Sequence, residues 1–402
     1  MEYIQRDIEP LLKTALRQFP VVGLYGPRQS GKTTLAKHLC PNFAYVNLEN
    51  YPDKELAKTD PVGFFVKYPE PVIIDEVQEV PEITSQIQRR ADERHLNGQY
   101  ILTGSRQLDL KKTTSQTLAG RIATLWLLPL SLHELDNAGY HNDRDAQILV
   151  GCMPGMYRQD MDVSLFYQSY IDTFLKKDIM EQRMTDLSRY YAFLKMLAGR
   201  IGQLVNYSDI ADGLGVSSVT IKEWISILEN AHIINILQPW FPSRDKRYVK
   251  TPKVYFVDTG IACKLLDITS PDSLRSSPML GPLFENLVVA EAFKSCAAQN
   301  QRDSLYFFRN NKGMEIDLLQ QNGALLHAYE IKSGMTPNQE WKKTMLAIKS
   351  KYPTYITGEP TVIYAGESYP QFEGCCFVEF HHCWESFQKV EQSFVFHPHN
   401  PS

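Results

Sequence analysis

Largely apolar runs recur along the first 155 residues and are separated by segments with helical periodicity. These runs cover residues 21–25, 43–48, 72–75, 100–103 and 124–128. Runs that are apolar throughout, rather than alternating, are typical of strands covered on both faces. Strands that alternate with helices along the chain predict a parallel sheet between two helical layers. The pattern therefore predicts a five-stranded α/β domain over residues 1–155.

The loop after the first apolar run has the composition of a phosphate-binding loop. It reads Gly26-Pro27-Arg28-Gln29-Ser30-Gly31-Lys32-Thr33-Thr34, and a helical segment follows it. Glycines let backbone N–H groups turn toward a phosphate, and the helix N-terminus adds partial positive charge. The lysine of such a loop reaches the β- and γ-phosphates, and the Thr33 hydroxyl ligates Mg²⁺. We expect residues 26–34 to bind ATP, because the chain shows no convincing guanine-reading motif.

A second motif, Val72-Ile73-Ile74-Asp75-Glu76, is an apolar strand that ends in two carboxylates. Such a pair can divide the work at a triphosphate site. We expect Asp75 to hold the Mg²⁺ shell and Glu76 to polarise the attacking water. Together with the phosphate-binding loop, this motif predicts hydrolysis as well as binding.

Two further residues are candidates for the same reaction. Thr103 ends the run at 100–103, and a hydroxyl there can sense the γ-phosphate or orient the water; it can also simply close a turn. Arg121 can stabilise phosphate charge, either in its own chain or in a neighbouring subunit, or it can be an ordinary surface arginine.

Residues 156–252 have a helical pattern that ends in a predicted helix-turn-helix over 207–225. Ser208 is expected to cap the first helix and Gly215 to make the turn, and apolar residues at 221, 224, 225 and 228 mark the second helix. The strand-like run 233–237 then completes a winged helix. Because the second helix is nearly neutral, an interdomain or non-specific role is favoured over sequence-specific reading of DNA.

One basic stretch follows, from Pro239 to Lys253. It contains five basic residues, one acidic residue and three aromatic residues, namely Arg244, Lys246, Arg247, Lys250, Lys253, Asp245, Trp240, Phe241 and Tyr248. Two interpretations stay open: a solvated hairpin, or a wing that contacts phosphates.

The C-terminal part carries a second set of acids. Two strand-like segments, 314–319 and 325–332, flank Asn322-Gly323, a dipeptide typical of a two-residue hairpin turn. With that turn, Glu315 lies opposite Glu330, and Asp317 and Glu330 are diagonal neighbours on one face. Lys332 points the same way, since strands repeat every two residues. A three-residue turn would instead put Asp317 on the opposite face.

An acid followed by Glu-x-Lys on the next strand is typical of metal-dependent phosphodiester hydrolysis. Asp317 and Glu330 would hold Mg²⁺, Glu285 on a preceding helix would complete the shell, and Lys332 would orient or deprotonate water. The alternative is the charged edge of an ordinary sheet. The nearby cysteines and histidines at 375–383 match no closed zinc pattern.

Composition sets the remaining limits. The chain has 402 residues, a net charge of −4 and seven scattered cysteines. No run is long enough to span a bilayer, and the N-terminus lacks a signal-peptide core. These properties predict a cytoplasmic protein with reduced thiols and no membrane partner.

The chain resembles prokaryotic AAA-type P-loop ATPases that end in a restriction-endonuclease-like domain. The matching stretches are 26–34, 72–76, 102–106, 119–121, 129–131, 250–260 and 308–332, which extend over nearly the whole chain. The resemblance implies an ATPase domain (1–155), a helical winged-helix domain (156–252) and an α/β nuclease-like domain (253–402). For its function, we expect ATP turnover to be coupled to nucleic-acid binding or cleavage. DNA is favoured over RNA as the partner. The alternative is a regulatory switch that binds a protein or another copy of itself, with a silent nuclease-like face.

Overall fold

The N-terminal part of the chain folds around a parallel sheet. The computed structural model describes residues 3–105, 118–158, 160–181, 187–241, 250–356, 358–372 and 374–388. The strands are β1 Val21–Tyr25, β2 Ala44–Asn47, β3 Val72–Asp75, β4 Tyr100–Gly104 and β5 Ile122–Trp126. They are parallel and lie in the order β2-β3-β4-β1-β5. The predicted five-stranded sheet is confirmed.

Helices cover both faces of this sheet, which explains why its strands are apolar throughout. The helices are α1 Glu9–Gln18, α2 Lys32–Leu39, α3 Tyr51–Thr59, α4 Pro61–Lys67, α5 Ile83–Arg94 and α6 Leu132–Asn137. Val21 and Tyr25 of β1 belong to one buried core, whereas Val22 and Leu24 belong to a second core with Leu12 of α1. Successive side chains of a strand point to opposite faces, so both faces of β1 are buried.

The middle of the chain is helical. Its helices are α7 Arg144–Val150, α8 Val163–Glu181, α9 Leu187–Ala198, α10 Tyr207–Leu214 and α11 Ser218–Asn230. The turn between α10 and α11 contains Gly215 at φ +64, and Ser217 caps α11 by accepting from Thr220 N at 3.1 Å. The four predicted apolar positions of α11 are buried. The predicted cap of α10 is wrong, because Asn206 rather than Ser208 accepts the capping hydrogen bond.

A second, mixed sheet has eight strands in the order β12-β13-β11-β10-β9-β8-β6-β7. They are β6 Ile234–Pro239, β7 Lys253–Phe256, β8 Leu305–Arg309, β9 Glu315–Asn322, β10 Leu325–Lys332, β11 Thr361–Tyr364, β12 Tyr369–Phe372 and β13 Cys375–Glu379. The helices here are α12 Thr259–Leu265, α13 Pro271–Ser276, α14 Leu280–Ala298, α15 Glu340–Lys351 and α16 Cys383–Ser386. Strand β6 pairs with both β7 and β8, so the second sheet contains strands from both sides of the predicted boundary at 252/253. The boundary itself stays a prediction.

Two helices sandwich this second sheet. Met345 and Ile348 of α15 pack with Leu319 of β9 in one core, whereas Leu287 of α14 packs with Tyr329 of β10 in another. The C-terminal part is therefore an α/β layer structure. In the described ranges no helix combines the length and the apolar character needed to cross a membrane.

The long helix α14 also joins the two sheets. Lys294 donates to Leu130 O at 2.8 Å and pairs with Glu291 at 2.5 Å, and Glu291 accepts from Leu132 N at 2.8 Å. All of these groups are buried. A buried charge pair with its other hydrogen bonds satisfied tolerates little displacement. The contact therefore fixes α14 against the segment that follows β5.

Candidate functional site

The phosphate-binding loop connects β1 to α2, as predicted. At Gly26, a Cβ would lie 2.0 Å from Leu127 O, so any side chain would collide with the neighbouring backbone. Gly31 has φ +94 and is the N-cap of α2. This is the left-handed region that favours glycine. The two glycines thus allow the loop to turn tightly before its helix begins.

Lys32 lies inside the loop that it follows. Its Nζ donates to Gly26 O at 3.0 Å and to Pro27 O at 2.8 Å. Burial lowers the pKa of Lys32 to about 8, against the opposing effect of Glu76 and Asp75. A buried ammonium held only by carbonyl dipoles favours an anion nearby. The Lys32 ammonium therefore lies within the loop, where it can bind an anion such as a phosphate.

Thr33 and Asp75 meet at the carboxyl ends of the strands. Thr33 Oγ1 donates to Asp75 Oδ2 at 2.7 Å, and Tyr45 donates to the same oxygen at 3.1 Å. Thr103 Oγ1 donates to Asp75 Oδ1. Because β4 lies between β3 and β1, Thr103 stands between the acid and the loop. This set of hydroxyl and carboxylate oxygens fits Mg²⁺, which prefers oxygen ligands.

Glu76 differs from its neighbour Asp75 in its surroundings. It has φ +54, and its side chain lines the cleft that opens over the phosphate-binding loop. Its Oε2 accepts from Gln78 Nε2 and, at 3.4 Å, from Ser105 Oγ. The left-handed conformation turns Glu76 out of the strand direction. The two adjacent acids therefore face different parts of the site, and Glu76 is the one that faces the cleft.

A cleft of about 1,440 Å³ opens over the loop. Its lining contains the loop residues Arg28, Gln29, Gly31, Lys32, Thr33 and Thr34, together with Tyr3, Arg6, Glu76, Tyr140, Tyr157, Arg158 and Tyr170. Of the remaining predicted loop residues, Ser30 is buried and its Oγ has no hydrogen-bond partner. The cleft is large enough for a nucleoside triphosphate.

Arg6 supports the loop from outside the motif. Its guanidinium donates to Ser30 O at 2.8 Å, to Leu128 O at 2.7 Å and to Glu134 at 2.8 Å. No local motif predicts this role, because the partners of Arg6 lie 24 to 128 residues away in the chain. Glu134 also closes the capping box of α6 with Ser131. Arg6 therefore ties the loop to the segment after β5.

Arg121 lies far from the phosphate-binding loop of its own chain. It precedes β5, whose first residue Ile122 pairs with Val21, the first residue of β1. The loop follows the last residue of β1, so the length of a five-residue strand, roughly 16 Å, separates them. Arg121 pairs with Asp92 instead. This position and pairing do not favour a catalytic role in its own chain; the predicted role of Arg121, in its own chain or in a neighbouring subunit, stays a prediction.

The C-terminal acids form a second cluster, and the predicted strand register is wrong by two residues. Tyr329 pairs with Leu318 and Leu325 with Asn322, so the two-residue turn is Gly323-Ala324. One step along this ladder sets Glu330 across from Asp317. A shift of two residues leaves every side chain on its predicted face. Asp317 and Glu330 are thus closer than the diagonal neighbours that we expected.

Lys332 bridges these two acids. Its Nζ lies 2.6 Å from Glu330 Oε1 and 3.3 Å from Asp317 Oδ2. Asp317 Oδ2 also accepts from Ile331 N at 2.8 Å. Burial and the charge of Asp317 raise the pKa of Glu330 to about 8, and Glu330 Oε2 is buried without a hydrogen-bond partner. The cluster therefore has one unsatisfied carboxylate oxygen.

Glu285 is connected to the cluster by Lys253, a residue that the sequence analysis assigned to the basic stretch 239–253. Lys253 is only 2% exposed, and its Nζ lies 3.2 Å from Glu285 Oε1 and 2.6 Å from Glu315 Oε1. Tyr255 also donates to Glu285, at 2.5 Å. Lys253 is therefore not available to the solvated hairpin or the phosphate-contacting wing that we predicted for this stretch. Lys250 is exposed, and the other basic residues of that stretch, 244–247, lie outside the described residues.

The acids of this cluster are paired with lysines and do not form a preformed metal site made of carboxylates alone. Within the described part of the chain, Glu285, Asp317 and Glu330 do not bring three donor atoms within 4.8 Å of one another. The Asp317–Glu330 pair alone can share an ion, with Glu330 Oε2 as the free donor.

Comparisons with known proteins agree with the N-terminal site. Residues 18–136 match the family model described as "AAA domain", which contains the loop, both acids and Thr103. This match confirms the prediction of a P-loop ATPase domain that binds ATP. Residues 141–272 and 280–382 match two models described as domains of unknown function, DUF8612 and DUF4143. The nuclease-like fold of the C-terminal part stays a prediction.

Similar proteins were also found over most of the chain. Uncharacterized protein Rv2008c of Mycobacterium tuberculosis and uncharacterized protein Mb2031c of Mycobacterium bovis are each 30% identical over 341 residues, 83% of this chain and 75% of theirs. Among solved structures, the Walker-type ATPase PABY2304 of Pyrococcus abyssi has 16% identity and a TM-score of 0.45, over 65% of this chain and 96% of that chain.

Proposed function

This chain belongs to the same family as the uncharacterized mycobacterial proteins Rv2008c and Mb2031c, and we propose that it is a Mg²⁺-dependent ATPase whose turnover is coupled to nucleic-acid binding or cleavage. The observation that carries the ATPase proposal is the network in which Thr33 and Thr103 both donate to Asp75 beside the buried Lys32. Hydroxyl, carboxylate and ammonium groups converge there on the space above the loop.

Each residue of this site has a separate role in the proposal. Lys32 and the loop N–H groups hold the phosphates, and Thr33 and Asp75 hold Mg²⁺, which neutralises phosphate charge when it is bound. Thr103 keeps Asp75 oriented between the strands. Glu76 accepts a proton from the water that attacks the γ-phosphorus, and the bond to the β-phosphate oxygen breaks as ADP leaves.

The second cluster supports a finer proposal, that the C-terminal part hydrolyses a phosphodiester. The observation behind it is the buried, unpartnered Glu330 Oε2 beside Asp317 and Lys332. With a divalent ion on Asp317 and Glu330, Lys332 would be released to orient or deprotonate a water. Glu285, held by Lys253 and Tyr255, would act through the outer shell of the ion.

We expect Asp317→Ala to abolish Mn²⁺ binding at this cluster and DNA cleavage, because it removes one of the two adjacent carboxylates that would share the ion. Lys332→Ala should retain Mn²⁺ binding but lose about 100-fold in cleavage rate, since general acid–base groups contribute roughly that much. Calorimetric titration with Mn²⁺ and a cleavage assay on nucleotide-free protein measure the two effects.

The matched control for this pair is Lys312→Ala, which removes an exposed lysine in the turn before β9. It should leave both quantities unchanged. Equal trace cleavage by wild type and Lys332→Ala would instead identify a contaminating nuclease and a structural cluster.

One observation favours the alternative function, a regulatory switch with a silent nuclease-like face. Lys253 and Lys332 pair with all four acids of the cluster, namely Glu285, Glu315, Asp317 and Glu330. In that case the ATP state would control contact with a protein partner or another copy of the chain, and the acids would only stabilise the fold.

The response of the ATPase rate to DNA separates the two functions. If nucleic acid is the partner, duplex DNA should stimulate ATP turnover, and the stimulation should fade as salt rises, because each phosphate contact releases about one counterion. The assay compares rates with and without DNA from low to high salt. A rate that does not respond to DNA at any salt concentration would favour the switch.

A further inference from the structure

A third cluster lies outside both sites and joins the two halves of the molecule. Asp136 is in α6, His141 is in the segment before α7, and His381 is in a short turn after β13. One carboxylate oxygen and one nitrogen of each imidazole all lie within 4.8 Å of one another. The cluster thus brings together three side chains of types that commonly ligate metals, although they are up to 245 residues apart in the sequence.

Two polar atoms of these partly buried side chains are themselves buried and lack hydrogen bonds. His381 Nε2 and Asp136 Oδ1 have no hydrogen-bond partner, although His141 Nδ1 lies 3.2 Å from that Asp136 oxygen. Buried polar atoms in proteins are nearly always paired, so each exception needs an explanation. A cation between these atoms would satisfy both at once.

Glu379 orients His381 for this purpose. Its Oε1 lies 2.7 Å from His381 Nδ1, and its Oε2 accepts from the backbone N of His381 at 2.9 Å. When Nδ1 carries the proton that is donated to Glu379, Nε2 is unprotonated, and its lone pair is available to a metal ion. Metal-bound histidines typically donate their second ring N–H to a carboxylate in this way.

We propose that Asp136, His141 and His381 bind one divalent transition-metal ion of the Zn²⁺ type, with Glu379 orienting His381. Two imidazoles and one carboxylate are donors that Zn²⁺ accepts and that Mg²⁺ and Ca²⁺ do not prefer. Bonds of roughly 2.0–2.1 Å bring donor atoms within about 4.2 Å of one another, so the cluster must close slightly. His141, whose side chain is 67% exposed, has room to make that movement.

A bound ion would connect two distant parts of the fold next to the nucleotide cleft. It would join the end of α6 to the end of β13, and so the N-terminal part to the C-terminal sheet. Tyr140, the residue before His141, lines the nucleotide cleft and packs edge-on against Tyr157 at 5.0 Å between ring centroids. A bound ion would hold this wall of the cleft in place.

Calorimetric titration of the nucleotide-free chain with Zn²⁺, in excess Mg²⁺ to fill oxygen-only sites, tests the proposal. Wild type should bind one Zn²⁺ at the cluster. His141→Ala and His381→Ala should each weaken that binding by at least about 100-fold, and Glu379→Ala by about 10- to 100-fold. His95→Asn, which removes an exposed histidine at the end of α5, should bind as wild type does.

Equal Zn²⁺ affinity in wild type, His141→Ala and His381→Ala would overturn the site. Should either alanine variant fail to fold, Asp136→Asn keeps the shape of the side chain and removes its charge. Zn²⁺ should raise the melting temperature of wild type but not of Asp136→Asn, since an ion stabilises only the state that binds it. The same rise in both proteins would contradict the proposal.

Discussion

Lys32→Ala should weaken Mg²⁺–ATP binding by about two to three orders of magnitude. Lys32 Nζ is buried and donates to Gly26 O and Pro27 O. Among the described residues, no other lysine lines the cleft over the loop to replace it. Truncating one partner of a buried charge pair costs about 2–5 kcal/mol, and 1.4 kcal/mol is tenfold in affinity. Titration with a fluorescent ATP analogue measures the loss.

Two controls separate this loss from a general effect on the fold. Lys343→Ala removes an exposed lysine of α15 that pairs only with Glu340 among the described contacts, and it should leave affinity unchanged. Lys32→Ala itself should unfold no more readily than wild type, because an ammonium that is buried without a carboxylate partner is costly in the free protein. Equal nucleotide affinity in wild type and Lys32→Ala would contradict the ATP-site assignment.

The parts of this site that could be predicted from sequence are those that local chemistry determines. The loop at 26–34 and the acids at 75 and 76 each follow a buried strand, and parallel strands bring their carboxyl ends to one edge of the sheet. Arg6 could not be found in this way, because its partners Ser30, Leu128 and Glu134 come together only in the folded chain.

The C-terminal site illustrates a different limit. The Asn322-Gly323 pair predicted a turn with both residues at its centre, but Gly323 at φ +61 occupies the first central position and Ala324 the second. Both arrangements satisfy the hydrophobic alternation, since they differ by two residues. For a two-residue turn, the face of each acid was therefore predictable, but its partner across the hairpin was not. The burial of Lys253 could not be predicted either, because the neighbouring sequence does not distinguish a buried lysine from an exposed one in a basic stretch.

The connection between the two sites follows from buried contacts that no motif contains. Lys294 and Glu291 of α14 hold the backbone at Leu130 and Leu132, next to the segment where Arg6 holds the loop. Glu285 lies on the same helix, two turns before Glu291, and belongs to the second cluster. A rigid helix that contacts both regions can transmit a displacement between them. The proposed coupling of ATP turnover to the C-terminal part would use α14.

Glu76→Gln should lower the ATP turnover rate by about 100- to 10,000-fold while leaving ATP affinity within a few-fold of wild type. Glutamine keeps the size of the side chain and its contacts with Gln78 and Ser105, but it cannot accept a proton from water. General base catalysis contributes about 10² to 10⁴ in rate. Phosphate release under single-turnover conditions measures the rate, and nucleotide titration measures the affinity.

Glu79→Gln is the matched control for this substitution. Glu79 lies three residues further along and pairs with Lys54 at 2.6 Å, outside the cleft lining, so its loss should change turnover little. Asp75→Asn should differ from both, because it disrupts the oxygen set of Thr33 and Thr103 and should weaken Mg²⁺-dependent binding itself. If Glu76→Gln hydrolyses ATP at the wild-type rate, Glu76 is not the base, and the proton must leave by another group of the cleft.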